Sequence, residues 1–307
     1  MTKEFYSNGK LLLTGEYVVL DGALSLAVPT IYGQNLLVTN TNENYISWKS
    51  LDVHNNTWFS ANFNSSDLAI LNTDEKDKNW SNTAKTLQAI LKEAQILNPN
   101  FLKDNKGLLV ETKLDFPRDW GLGSSSTLIN NIASWAAVNA FDLLENTMGG
   151  SGYDIACAQN NTPIFYQKIK NKPTINAVNF NPAFTEHIYF IHLNKKQNSR
   201  DAISTYKQCT FNKEELIKNI NQITKEISTT TSLTVFDTLI TQHEELLSKA
   251  LKTPAVKELL FANYNGAIKS LGAWGGDFIL ATGDKNTPAY FKEKGYSTIF
   301  KYTDFIK

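Results

Sequence analysis

Trp120-Gly121-Leu122-Gly123-Ser124-Ser125-Ser126-Thr127 stands between residues 107–116, which read GLLVETKLDF, and a run in which Leu128, Ile132, Trp135 and Ala136 share one side. The first flank has the composition of a strand and the second the spacing of an amphipathic helix. The order is therefore strand, glycine-serine loop, helix. Glycine lets a backbone approach an anion closely, because no Cβ intervenes. A helix start offers N–H groups and the positive end of a dipole, which suits phosphate. One hydroxyl is enough to cap a helix, whereas this loop has four in succession after G-x-G. It is not a Walker A loop, since no G-K-[ST] follows, and it lacks the third glycine of a dinucleotide fingerprint.

Three other segments carry chemistry. Ser7-Asn8-Gly9-Lys10 leads into Gly15-Glu16-Tyr17. A lysine fixed at that point can neutralise a transferring phosphoryl group. Gly149-Gly150-Ser151-Gly152-Tyr153-Asp154-Ile155-Ala156 places an acid directly after a tight glycine turn. Asp154 reads equally well as a helix cap or as a carboxylate aimed into a cleft. Gly272-Ala273-Trp274-Gly275-Gly276-Asp277 precedes an apolar run, and its glycines suggest either a simple turn or close backbone approach to a ligand.

Around these segments the chain mixes strands and helices without a βα repeat. Residues 9–20 and 24–31 are β-prone, and residues 35–63 alternate as a meander. Trp80, Ala84, Leu87, Ile90, Leu91, Ala94 and Leu97 recur at helical spacing until Pro99. HIYFIHL at 187–193 reads as a strand, with His187 and His192 as ordinary strand-end residues. Residues 201–271 read as helices, one of them opened by Pro254. A strand over 278–282, a helix over 288–294 and a strand over 297–302 follow. The expectation is an α+β chain in two halves, residues 1–170 and 171–307.

Composition narrows the function classes. The 307 residues carry 30 Lys+Arg and 30 Asp+Glu, a net charge of zero, which argues against a nucleic-acid partner. A local basic pocket for a small anion remains compatible with that balance. The arginines are Arg118 and Arg200, in a chain rich in Lys and Asn. Cys157 and Cys209 make neither a disulfide framework nor a zinc site. No signal peptide or membrane span is legible, so the reading is a cytoplasmic protein with no membrane partner, as a monomer or homodimer.

Taken together and in this order, the four segments resemble the GHMP kinase superfamily. Its first motif has the form P-x-x-G-K-(x)-G-E-[HY] and its second P-x-x-x-G-L-G-S-S-[AS]; an S-G-x-D turn and a glycine-rich third motif follow. Here they stand as SNGKLLLTGEYVVLDG, FPRDWGLGSSST, GGSGYDIA and GAWGGDF, spread over residues 7–277. The GEY ending, the S-G-Y-D-I-A turn and Asp277 after the third motif resemble the mevalonate and phosphomevalonate kinase branch, in a GYDIA-type variant.

The resemblance implies a two-domain fold, ribosomal-S5-like then ferredoxin-like, with ATP and Mg²⁺ as cofactors. It implies a small anionic acceptor, phosphomevalonate or mevalonate. A catalytically altered nucleotide-binding protein, or a kinase for another alcohol or sugar, is the alternative. An ATP-dependent decarboxylase ranks last. By the same resemblance Lys10 and Asp154 are catalytic. Gly121, Leu122, Gly123, Ser124, Ser125, Ser126 and Thr127 wrap the ATP phosphates. Glu16, Tyr17, Arg118, Ser151, Gly152, Gly275, Gly276 and Asp277 face the substrate. Ser125 and Glu145 are the metal candidates.

The sequence also departs from the pattern. Glu145 is the acid nearest the place of the usual metal-binding Glu, and its register is off. Asp119 and Trp120 replace the usual residues before G-L-G. Trp274 stands where glycine is common, with an indole that would fill or wall the pocket.

Overall fold

A computed structural model describes residues 2–73, 78–104, 106–197 and 199–307. The strands are β1 (Thr2–Leu12), β2 (Ser25–Asn40), β3 (Tyr45–Leu51), β4 (Thr57–Asn64), β5 (Ile70–Thr73), β6 (Leu108–Leu114), β7 (Ile164–Ile169), β8 (Lys172–Ala177), β9 (Ile188–His192), β10 (Ile268–Leu271), β11 (Phe278–Thr282) and β12 (Ile299–Lys301). The helices are α1 (Lys78–Leu97), α2 (Ser124–Ala136), α3 (Ala140–Thr147), α4 (Tyr153–Gln159), α5 (Ser199–Gln208), α6 (Lys213–Thr229), α7 (Leu233–Leu251), α8 (Val256–Leu260) and α9 (Thr287–Glu293). The α+β expectation holds. The described residues form two compact units.

Unit 1 comprises the residues up to Gly9, Tyr32–Arg118 and Gly123–Gln159. Residues 34–40 of β2 pair antiparallel with β6, and β6 pairs parallel with β3. β3 pairs antiparallel with β4, and β4 with β5. The alternation in β3 and β4 sends Ile46, Trp48, Phe59 and Phe63 to one face. Helices α1, α2 and α3 cover that face through Leu87, Ile90, Leu91, Ile129, Ile132 and Leu143. α1 ends at Leu97, two residues before Pro99, and Asn98 donates its side-chain amide to the carbonyl of Ala136 at 2.7 Å.

Unit 2 comprises Lys10–Ile31, Asp119–Leu122 and Asn160–Lys307. β7 pairs antiparallel with Ser25, Leu26 and Ala27 of β2 and with β8. A four-stranded antiparallel sheet runs in the order β10-β11-β9-β12. One of its faces packs Ile191, Ile268 and Ile279 against Val256, Phe261 and Phe291.

Three local expectations are corrected. The helical reading over 201–271 ends at Leu260, and Ile268–Leu271 is β10, four fully buried residues. Four residues are too few for either periodicity to be read, and the pairing with β11 decides. Pro254 lies just before α8, whose N-cap is Ala255, instead of inside its first turn. Similarly, the last three residues of the β-prone run over 9–20 belong to a turn of 3-10 helix, Val18–Asp21, rather than to a strand.

Candidate active site

Within unit 2 the sequence candidates Lys10, Gly121 and Asp277 meet. Lys10 lies near the end of β1, mostly buried. Its backbone N–H donates to the carbonyl of Leu122 at 3.2 Å, and its ammonium donates to the carbonyl of Gly121 at 3.1 Å. Gly121 has φ +68°, a conformation that disfavours other residues. A Cβ there would collide with the Asp277 carboxylate, so the glycine is needed for space as well as for its backbone.

Asp277 is itself held at φ +53°. Its Oδ1 accepts the N–H of Gln197 at 3.2 Å, and its own N–H donates to the carbonyl of Lys195 at 2.7 Å. Burial raises its carboxyl pKa, and the Lys10 charge opposes that rise. Gly276 is tight for a similar reason, since a Cβ there would overlap the Gln197 side chain. Gly275 adopts φ +84°.

The acidic-aromatic pair ahead of the loop has a structural explanation. Trp120 packs edge-on against Phe278, Phe300 and Phe305, with ring centroids 5.7, 5.3 and 6.4 Å apart. His192 Nε2 lies 3.2 Å from the carbonyl of Asp119. The first half of the loop is thereby fastened to the second sheet of unit 2.

Trp274 is held by two hydrogen bonds and an apolar cluster. Its indole N–H donates to the carbonyl of Pro254 at 3.0 Å, and its ring joins a cluster with Tyr17, Tyr206 and Leu246. Its backbone N–H donates to the Tyr17 hydroxyl at 2.8 Å. Burial pushes the Tyr17 phenol up to about 12, so it stays neutral.

Glu16 was expected at the substrate; instead its carboxylate is buried, with Oε1 accepting from Lys269 Nζ at 2.7 Å. It belongs to a cluster with Lys269, Glu244 and His243, none more than 4 % exposed. Burial raises both carboxyl pKa values, Glu244 to about 7, against the pull of Lys269. Burial, aided by the Lys269 charge, holds His243 well below its usual value, so the imidazole is neutral.

Sequence reading missed Lys269, Glu244 and His243, although a signal existed for each. Lys269 is flanked by Ile268 on one side and by Ser270 and Leu271 on the other in a strand buried throughout. His243 and Glu244 interrupt the buried stripe Phe236, Leu239, Ile240 and Leu247 of α7.

Unit 1 supplies the second half of the loop. Gly123, at φ +87°, is the N-cap of α2, and no side chain caps that helix start. The Thr127 N–H closes the first turn on the carbonyl of Gly123 at 3.0 Å. Ser125 is exposed, and Ser124 and Ser126 are half-buried. The Thr127 hydroxyl is turned inward, 2.7 Å from Gln34 Oε1 and 3.0 Å from the carbonyl of Ser124, so only its backbone faces the loop. Leu122, on the other side of Gly123, is buried.

Helix α4 packs on α2 and carries Asp154 in its first turn, after Ser151 and a left-handed Gly152 at φ +89°. The Ala156 N–H bonds the carbonyl of Gly152 at 3.1 Å. Arg118 stacks on the Trp58 indole, with its guanidinium carbon 3.6 Å from the ring centroid. Glu145 is exposed on α3. Among the described residues, no three His, Cys, Asp or Glu side chains gather as a metal site would require. Lys10 belongs to unit 2 and Asp154 to unit 1.

No helix of the described residues is long and apolar enough to cross a membrane. No family model matches the chain, and no curated protein matches it in sequence. Solved structures do match over nearly its whole length. Mevalonate kinase of Methanococcus jannaschii is 18% identical with a TM-score of 0.71, covering 98% of this chain and 97% of that one. Galactokinase of Lactococcus lactis, complexed with galactose, is 15% identical with a TM-score of 0.67, covering 98% and 92%. Phosphomevalonate kinase of Streptococcus pneumoniae, in complex with phosphomevalonate and AMPPNP, is 14% identical with a TM-score of 0.67, covering 97% and 99%. These proteins share one superfamily, and the chain has its fold, that of the GHMP kinases.

Proposed function

We propose that this protein is an ATP-dependent kinase that transfers the γ-phosphoryl group to a small anionic metabolite, with phosphomevalonate or mevalonate as the leading acceptors. The observation that carries the reading is the loop of residues 120–127. It combines two left-handed glycines, an uncapped helix start with serines on it, and a buried lysine bonded to its backbone. Phosphoryl transfer depends mainly on positioning and charge neutralisation, and these groups are of the kind that supply both. The phosphomevalonate kinase of the same fold, with AMPPNP in its complex, supports ATP as the donor.

In this reading Gly121, Leu122 and Gly123 bring backbone close to the triphosphate, and Ser124, Ser125 and Ser126 donate hydroxyls. Lys10 neutralises charge on the transferring group. Mg²⁺ would be held by the phosphates, water and Ser125, in keeping with its preference for retaining waters, with Glu145 as the candidate carboxylate. Asp154 accepts the proton of a hydroxyl acceptor, or orients a phosphate acceptor that is already nucleophilic. Tyr17, Ser151, Gly152, Gly275 and Gly276 line the acceptor side, Arg118 reaches its anionic group, and Asp277 is set beside Lys10. Two domains, residues 1–170 and 171–307, and a cytoplasmic monomer or homodimer complete the proposal.

ADP release with ATP and Mg²⁺, across phosphomevalonate, mevalonate, homoserine and several sugars, tests it. Saturable turnover with phosphomevalonate or mevalonate is the expected result. Turnover with a sugar alone, the reading that the galactokinase likeness favours, would move the acceptor class. Silence with every acceptor would overturn the kinase reading. Asp154→Asn is expected to lower kcat by about 100-fold or more while leaving ATP affinity within about twofold. Unchanged kcat removes Asp154 from the mechanism.

A further inference from the structure

We infer that Lys269 is a positioning residue: with Glu16 and Glu244 it forms a buried charge cluster that fastens residues 15–17 and the 272–276 loop to helix α7, and so sets the geometry in which Lys10 and Asp277 act. The functional half of this inference rests on the kinase reading above. The structural half does not.

Every proton of the Lys269 ammonium has a place. Nζ donates to Glu16 Oε1 at 2.7 Å, to the carbonyl of Ser270 at 3.0 Å and toward Glu244 Oε1 at 3.4 Å. The other Glu244 oxygen accepts the N–H of Ser270 at 3.1 Å, holding the strand that leads into the glycine loop. On the opposite side three successive residues are each held. The Gly15 N–H donates to His243 Nε2 at 3.0 Å, Glu16 pairs with Lys269, and the Tyr17 hydroxyl accepts the N–H of Trp274 at 2.8 Å. Residues 15–17 thus touch α7, β10 and the 272–276 loop in turn.

Stability does not account for this arrangement. A buried ion pair is often matched or bettered by apolar residues of the same shape. Among the described residues, Glu16 Oε2 and His243 Nδ1 are also left without hydrogen-bond partners, which is unfavourable for buried polar atoms. What ions supply and apolar contacts do not is a fixed direction and separation between three backbone segments. The cluster also reaches Lys10, whose charge favours the ionised forms of both Glu16 and Asp277.

The test compares the wild type with Glu16→Gln/Glu244→Gln/Lys269→Met, which removes the charges and keeps the volumes, and with Lys269→Arg, which keeps the charge. Hydrogen–deuterium exchange is read over residues 13–18 and 268–277, with α1 as the internal control. In the neutral variant, both segments should exchange about tenfold faster while α1 is unchanged and the melting temperature moves by only about 5 °C. With an active acceptor in hand, kcat should fall about tenfold with KM for ATP within about twofold, and Lys269→Arg should recover part of the loss. A neutral variant that folds and keeps wild-type exchange in both segments overturns the inference. If wild type releases no ADP with any acceptor, the kinase reading fails, and exchange alone decides whether the cluster holds the loops. Should the triple variant not fold, Glu244→Met leaves the Lys269–Glu16 pair neutral overall and carries the same test. Faster exchange at Ser270 supports the inference, and unchanged exchange there overturns it.

Discussion

In unit 1 the middle of α2 rests on neutral groups. The Ser7 hydroxyl donates to Asn131 Oδ1 at 2.7 Å, and Asn130 donates to Ser7 Oγ at 2.9 Å. Asn131 donates to the carbonyl of Gln34 at 2.9 Å, and Gln159 closes the set on Asn130 Oδ1 at 2.9 Å. In unit 2 the turn at residues 15–17 rests on ions: Glu16, Lys269 and Glu244, beside a neutral His243. Both networks are buried, and both stand behind glycine-bearing loops. They differ in what disturbs them. Amides and hydroxyls do not titrate in the working range of pH, and each bond contributes about 1 kcal/mol net. A buried charge depends on its partner and on its own proton.

The contrast breaks most sharply with Lys269→Met alone. Two buried carboxyl groups then lose the Lys269 charge, and the variant should be destabilised by roughly 3–5 kcal/mol in urea unfolding at pH 8, above the Glu244 value of about 7. A loss under about 1 kcal/mol, the size typical of exposed pairs, would mean that water reaches the cluster.

The second effect is on pH. Folded Glu244 keeps its proton up to about 7, against 4.5 ordinarily, and burial moves Glu16 in the same direction. Between those values the folded state binds more protons than the unfolded state. The contribution is therefore fully present below about pH 4.5 and lost as pH rises through about 7. From pH 5 to pH 8 the contribution of Glu244 should fall by on the order of 2–3 kcal/mol, measured as unfolding free energy at each pH. Glu244→Gln should flatten that slope. An unaltered slope in the variant would place the titration elsewhere.

The smallest effect belongs to the neutral network. Asn131→Leu leaves Ser7 and the Gln34 carbonyl short of a partner and should cost roughly 1–3 kcal/mol. The loss should be equal at pH 5 and pH 8. A pH-dependent loss would erase the distinction between the two networks.

Much of the scaffold was legible in local sequence. Residues 107–116 predict a strand that is found as β6, and the glycine-serine loop predicts a helix that begins at Ser124. The helical apolar spacing of α1 and its stop before Pro99 were equally plain. The site was legible only where its parts are contiguous. Gly121, Gly123 and the serines announce themselves, because a backbone at positive φ and a helix start are local requirements. The partnership of Glu16 with Lys269 spans 253 positions, and no periodicity encodes it. β10 was misread for a related reason: burial on both faces erases the alternation that marks a strand. The inward hydroxyl of Thr127 was hidden by its neighbours, since four similar residues in a row do not say which of them turns toward Gln34.

The close fit of Gly121 against Asp277 reaches into how this sequence can drift. Position 121 admits a side chain only if the carboxylate at position 277 turns away or is lost, and the left-handed backbone at 121 adds its own penalty. The two positions are therefore not independent under selection. Chains descended from a common ancestor should change them jointly or leave both alone, and a lone replacement at 121 in a relative that retains the acid at 277 would mark a lineage in which the loop has been rebuilt.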